Sequence, residues 1–495
     1  MANTHFFGPD TFASPEQYLP MPFRFERLDG NRVLLTNSSG EYAILSRPIF
    51  DDFVSGRLPA GSGECLELKS RSFLMHGADP ATLRAVASQW RTKKAFLESG
   101  PKLHIFVPTL RCNQGCGYCQ VSRAEAKTAG VDMPFEKARS AIDLMLSAPA
   151  SSMTMEFQGG EPLLAFDLVR RMVETAAERS SLAGKTLSYV ICTNLTLLTE
   201  QHIDFFRKFN VCISTSLDGP SDLHDRNRPF SGASSHAVVV ENIRRCHDDL
   251  GPGSVSALMT ATRNSLGRAE EIIDEYVRHG LTSIFLRELN PYGFASKSGK
   301  AIGYSTDDFV AFYKQSLRYV LDLNRSGVRM IEAYAAILLR KILTPFGVGF
   351  VDLQSPTGEG FGVVLYNYDG DVYASDEARM LAEMGDKTFR LGSVSDSWIS
   401  IMTGPTMQSL AAAGVAESLP GCSDCAFVPY CGADPIRHYR TQGDIVGHRP
   451  TSTFCHKQKE IFRTLFDLLD AADEETMSIL LGWLNLRRSC VSSPS

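Results

Sequence analysis

Seven of the twelve cysteines in this 495-residue chain fall into two tight groups. Cys112, Cys116 and Cys119 have three and then two residues between them, in PTLRCNQGCGYCQ. A loop this compact can aim three thiolates at one cluster. Because it supplies only three, a four-iron cluster there would keep one iron without a protein ligand, open to a substrate or cofactor. A closed structural zinc site wants a fourth Cys or His nearby, and His104, on the preceding strand, faces the wrong way. In the second group Cys422, Cys425 and Cys431 have two and then five residues between them, and Cys455 follows later. Taken alone, these four suit either a structural zinc or an iron–sulfur cluster. The other five, Cys65, Cys192, Cys212, Cys246 and Cys490, are scattered. Cys192 and Cys212 lie in apolar strand-like runs and read as buried fillers.

The elements that must position these groups follow from periodicity. From 102 to about 325, apolar runs (LHIFVP, MTMEFQ, LSYVICT, VCISTSL, VSALMTAT, SIFLREL) alternate with amphipathic helical patterns. Six βα repeats with apolar strands predict an α/β fold, a parallel sheet covered by helices. Polar and glycine-rich residues gather after each strand, which favours a partial (β/α)6 barrel. A flat doubly wound sheet is the alternative, but its GxGxxG fingerprint after the first strand is absent. Before this region, FRFERLDGNRVLLTNSSGEYAIL carries turn signals at Asp29-Gly30 and at Asn37 to Gly40. Helical runs at SRPIFDDFVSGRL and DPATLRAVASQWRTKKAFLE follow, so residues 1–98 read as a small α+β domain. After 330 the pattern is irregular, with a hairpin expected to turn at Asp369-Gly370 and a final helical run from about 456. The expected division is 1–98, 99–330 and 331–495.

CxxxCxxC directly after the first strand resembles the radical S-adenosylmethionine (SAM) enzymes, whose open iron binds the amino and carboxylate groups of SAM. Companion motifs stand in the family's order. Tyr118 occupies the usual aromatic position, where its backbone is expected to meet the adenine. FQGGEPLL matches GGE at Gly159, Gly160 and Glu161; the glycines let backbone approach a ligand closely, and the carboxylate is expected to hold the SAM ammonium. CTNLTLL, with Asn194, resembles TNGT, except that Leu195 replaces the glycine whose backbone angle the turn needs. STSLDGPSDLHDRNRP matches the SLDGP…HD…R pattern, placing Ser216 and Asp218 to bond the ribose or carboxylate end of SAM. Arg287, after the sixth strand, is either a further contact or a structural pairing. The resemblance covers about 102 to 325 and implies reductive cleavage of SAM to a 5′-deoxyadenosyl radical.

The C-terminal part resembles the SPASM/twitch-like extensions that bind auxiliary clusters. Cys422, Cys425, Cys431 and Cys455 match the four ligands of one auxiliary 4Fe-4S cluster, with zinc as the alternative metal. The ligands of the sibling cluster are gone together. Pro435 stands where CxxxC would end, Ser375 replaces the cysteine of the family's VYPC hairpin, and no cysteine lies between 247 and 421. Asp376, next to Ser375, matches the aspartate that in sulfatase-maturing enzymes acts as general base; a solvated loop carboxylate is the alternative.

The N-terminal segment resembles the peptide-binding elements of enzymes that modify ribosomally made peptides, in which a leader peptide adds a strand to a sheet edge. A small structural domain is the other reading. The whole chain resembles the B-type radical SAM maturases of His-Xaa-Ser peptide systems. That resemblance implies a precursor peptide substrate, a flavodoxin- or ferredoxin-type electron donor and a second maturation protein. It points to oxidative side-chain cross-linking; residue oxidation or epimerisation without a cross-link, or a non-catalytic peptide scaffold, are the alternatives. The bulk properties agree. A net charge of −6 argues against a nucleic-acid partner. No apolar run approaches the roughly 18 residues of a membrane helix. MANTHFFGPDTF lacks the basic and apolar regions of a secretion signal, so a cytoplasmic location is expected.

Overall fold

The computed structural model describes residues 18–484 apart from Ala78. Cys490 and the first 17 residues lie outside that range. Three antiparallel strands, β1 (Phe23–Arg27), β2 (Arg32–Asn37) and β3 (Tyr42–Ser46), form a small sheet with β2 in the centre. The expected turns fall between these strands, and the expected helix follows at Arg47–Val54, with Gly56 closing it at φ 71°. A further helix at Gly63–Ser70 was not predicted. It buries only Cys65 and Leu68, too few apolar positions for a periodic signal. Helix Pro80–Lys94, capped by Asp79, completes the unit.

All six predicted strands form, as β4 (Leu103–Thr109), β5 (Ser152–Gly159), β6 (Thr186–Cys192), β7 (Cys212–Ser216), β8 (Val255–Thr260) and β9 (Ser283–Arg287). They lie parallel and in sequence order. Beyond β9 the sheet gains β10 (Ile331–Glu332). Beyond β4 it gains the parallel strand β11 (Val363–Tyr366), which carries the antiparallel β12 (Asp371–Tyr373) and β13 (Arg390–Ser393). The first and sixth strands are therefore not neighbours, and the barrel is partial. The hairpin turns at Asp369-Gly370 as expected, with Gly370 at φ 86°. One continuous sheet thus runs across the expected boundary at 330. A large apolar core beneath it joins the covering helices to residues of the C-terminal helix Thr453–Ala471, among them Ile461, Phe462 and Leu465.

The N-terminal sheet sits on the second cysteine group. Thr36 Oγ1 donates to the Ala426 carbonyl at 2.7 Å, and Tyr430 OH donates to the Gly40 carbonyl at 3.1 Å. Arg32 pairs with Asp467 and Asp470 of the C-terminal helix, each at 2.8 Å.

Candidate functional site

The first cysteine loop leaves the end of β4 and is tied down by every element around it. Thr109 Oγ1 and Arg111 Nε both donate to Asp132, at 2.5 and 2.8 Å. Gly115 N donates to the Pro229 carbonyl, and Phe294 N to the Cys119 carbonyl. Arg379, fully buried, reaches in from the C-terminal region and donates to the Val121 carbonyl at 3.0 Å. Cys112, Cys116 and Cys119 carry no disulfide and line one cavity of about 270 Å³. Burial pushes the Cys112 thiol up to about 12 and Cys116 to about 11. Such buried thiols become ligands when a metal's charge displaces their protons. The donor set, three thiols facing one cavity, fits a cluster with one open iron. His104 is fully buried, 2.9 Å from Tyr366 OH and 3.2 Å from the Pro101 carbonyl, and is not a fourth ligand.

The two glycines at the end of β5 serve the loop's own backbone. A Cβ on Gly159 would lie 2.3 Å from the Thr109 carbonyl oxygen, and one on Gly160 would lie 2.1 Å from that of Arg111. The close approach allows Gly160 N to donate to Thr109 O at 2.9 Å and Glu161 N to Arg111 O at 2.7 Å.

Tyr118, Gly159, Gly160, Asn194, Ser216 and Arg287 line the cavity with the cysteines. Glu161 and Asp218 are not among the residues that line it. The Glu161 carboxylate is fully buried and accepts from Leu163 N (3.0 Å), Thr193 Oγ1 (2.7 Å) and Asn194 N (2.7 Å). Burial raises it to about 7. Asp218, also fully buried, accepts from Tyr118 OH at 2.5 Å, Arg228 Nε at 3.2 Å and Thr260 N at 3.3 Å. Both carboxylates stand behind the cavity wall and fix the residues that form it. Their partners come from distant segments, so the motif alone could not reveal this.

The turn after β6 keeps the left-handed geometry without its glycine. Leu195 sits at φ 58° and is fully buried, and its carbonyl accepts from Asn242 Nδ2 at 2.8 Å. Leu195→Gly is expected to relieve about 1 kcal/mol of backbone strain but lose about 3 kcal/mol of packing. The urea midpoint of the reconstituted protein should therefore fall, not rise.

A second cavity, of about 230 Å³, lies between the barrel and the C-terminal region. It shares Glu156, Gln158, Ser214, Arg287, Asn290 and Asp376 with the first. Ser375 accepts from Ala378 N and caps helix Asp376–Glu383, so Asp376 stands in the first turn on the common wall. Glu156 and Cys192 were missed as cavity residues. A glutamate inside an apolar strand was the available signal, since buried carboxylates are rare. Cys192 offered none, because an apolar strand accommodates a thiol as filler.

Cys422, Cys425, Cys431 and Cys455 line one small pocket with Phe427, Phe454 and Phe462. Cys455 is placed by its helix cap, Ser452, which accepts from Cys455 N at 3.1 Å. Burial raises Cys425 to about 11 and also raises Cys431. Arg449 Nε lies 3.0 Å from Cys422 Sγ, a charged donor suited to a thiolate. Four thiols in an apolar pocket fit a soft metal centre, whether a four-iron cluster or zinc.

Residues 106–285 match the radical SAM superfamily. An uncharacterized protein of Archaeoglobus fulgidus is 25% identical over 370 residues, 74% of this chain and 81% of that protein. A serine-type anaerobic sulfatase-maturating enzyme of Klebsiella aerogenes is 27% identical over 202 residues, 40% of this chain and 49% of that protein. Among solved structures, anSMEcpe with bound AdoMet superposes with a TM-score of 0.62 at 17% identity, covering 77% of this chain and 99% of that one. Streptococcus suis SuiB bound to precursor peptide SuiA superposes with a TM-score of 0.52 at 12% identity, covering 88% and 98%. No helix among the described residues is long and apolar enough to cross a membrane.

Proposed function

From the premise that this chain carries a radical SAM domain over residues 106–285, we propose that it modifies a ribosomally made precursor peptide by oxidative cross-linking of side chains. The observation that carries this reading is the pair of cavities with a shared wall. SAM would occupy the one beside Cys112, Cys116 and Cys119, and the peptide residue the one beside Asp376. The bound clusters would supply the electron that cleaves SAM and, at Cys422, Cys425, Cys431 and Cys455, accept the electron given up by the substrate. Asp376, as general base, takes the proton released when the substrate radical is oxidised. Tyr118, Gly159, Gly160, Asn194, Ser216 and Arg287 bind and orient SAM, while Glu161 and Asp218 hold that set in place.

Residues 99–330 form the radical domain and 331–495 the cluster-binding extension, and 1–98 receive the leader peptide along an edge of the β1–β3 sheet. The similar fold of anSMEcpe, solved also with AdoMet and Kp18Cys peptide, and that of SuiB with SuiA support a peptide substrate. A flavodoxin- or ferredoxin-type donor and a second maturation protein complete the system, which works in the cytoplasm.

Epimerisation is the second reading, favoured by Cys192. Its thiol faces the first cavity, and burial raises its pKa well above the usual value. A thiol kept protonated is a hydrogen-atom donor that could quench a substrate radical.

Anaerobic reconstitution is expected to give about eight irons per chain, from two four-iron clusters. About twelve would contradict the loss of the sibling cluster, and about four with one zinc would assign zinc to the second group. With SAM, dithionite and a candidate precursor peptide, cross-linking shifts the peptide by about −2 Da. An unchanged mass, rising by about 1 Da in D2O, would transfer the assignment to epimerisation.

A further inference from the structure

The positions where the sibling cluster lost its cysteines now begin two helices. Ser375 caps Asp376–Glu383. Pro435 opens Pro435–Gln442, whose cap Asp434 is held at φ 46° and accepts from Arg437 N at 3.1 Å. Both helix starts bring carboxylates to the second cavity: Asp376 and Glu377 from one, Asp434 from the other, with Asp352 beside them.

We propose that the space left by the sibling cluster is a receptor for one cationic side chain of the substrate peptide, an ammonium or guanidinium. This rests on the peptide-modifying function proposed above.

Charge counting is the first support. Glu156 and Glu288 join those four on the cavity wall, making six carboxylates, against three cations, Arg287, Arg437 and Lys457. Arg437 and Lys457 are already committed, each 2.5 Å from Glu288. The remaining carboxylates crowd one another. Burial and then Asp352 raise Asp434 to about 7, and burial, Asp376 and Asp352 raise Glu377. Carboxyl groups raised in this way keep their protons until a cation pairs with them, so a cation entering the cavity would be taken up as they ionise.

Tyr292 is the second, independent support. Its side chain is 1% exposed and lines this cavity, yet its hydroxyl has no hydrogen-bond partner. Burial, and then the charges of Asp434 and Glu377, push its pKa well above the usual value. A buried hydroxyl without a partner costs stability, and an incoming N–H donor would satisfy it.

The occupant is a side chain because the substrate proposed above is a peptide. A cavity of about 230 Å³ has room for one long side chain.

The test reads binding without turnover. Peptides Ac-Gly-Ser-Xaa-Ser-Gly-NH2, with Xaa as Lys, Arg, Gln or Glu, are added to the full-length, cluster-reconstituted, SAM-loaded protein, and ligand line broadening is measured by NMR. The Lys and Arg peptides should be retained about tenfold more than the Gln and Glu peptides. In the Glu377→Gln, Asp434→Asn double variant this ratio should fall towards about one, and asparagine still caps the helix. Equal retention of all four peptides, preference for Glu, or a preference that survives in the double variant would overturn the proposal. A cation preference without product formation would uphold it while removing the assigned function. Product formation without the preference would do the reverse.

Discussion

Gly160→Ala is expected to yield a folded protein with about four irons instead of about eight, and with SAM cleavage reduced about 100-fold or more. The new Cβ would sit 2.1 Å from the Arg111 carbonyl oxygen and 2.4 Å from that of Leu110. Both obstacles are backbone, so no side-chain rotation relieves the clash. Either the end of β5 or the loop carrying Cys112 must move. The loop is the softer partner, and a shift of about 1 Å in a reacting centre's support costs on the order of 100-fold in rate. The strand is anchored by pairing on both sides, to β4 and β6, so secondary structure should survive. Gly299→Ala, on a helix with nothing within 4 Å of the added Cβ, is the control that should retain full iron. Iron content and 5′-deoxyadenosine formation check both variants.

Glu288→Gln carries the second large effect, on stability. Glu288 follows β9 and bridges the barrel to two C-terminal helices through Arg437 and Lys457, with its own side chain only 12% exposed. The substitution removes the anion and strands two buried cations, which costs about 3–5 kcal/mol. Burial alone would raise the carboxyl, but Arg437 and then Lys457 outweigh it and hold it down at about 2. The folded pKa thus lies below the unfolded value of about 4.3. The associated stability is fully present above that value and is lost as pH falls towards about 2. The difference in urea midpoint between wild type and Glu288→Gln should be constant from about pH 7 to pH 5 and narrow at lower pH. A gap independent of pH would show that packing, and not charge, accounts for the loss.

The barrel was legible because each of its six strands is a continuous apolar run between amphipathic helices. The cysteine loop was legible because its three ligands are local in sequence. What escaped depends on pairings across long distances. β11 joins β4 through Val363 and Leu103, and no local pattern encodes that registry. Glu161 and Asp218 were recognised by motif, yet their partners, Asn194 N and Arg228 among them, are set by the packed strands. The carboxylate-lined cavity draws on Glu288, Asp352, Asp376 and Asp434, four segments that share no motif. Ser375 and Pro435 were readable one by one, but the charge that surrounds them emerges only when the segments meet.

The hydrogen bonds that Thr36 donates to the loop of the second cysteine group, and that the Gly40 carbonyl accepts from it, bear on protein engineering. The N-terminal unit braces the segment that carries this pocket, besides being a candidate peptide receptor. Exchanging it for the corresponding unit of a related protein would also remove partners from Ala426 and Tyr430. A working chimera should therefore transplant residues 18–98 together with the loop from Cys422 to Cys431, as one cassette split across the sequence.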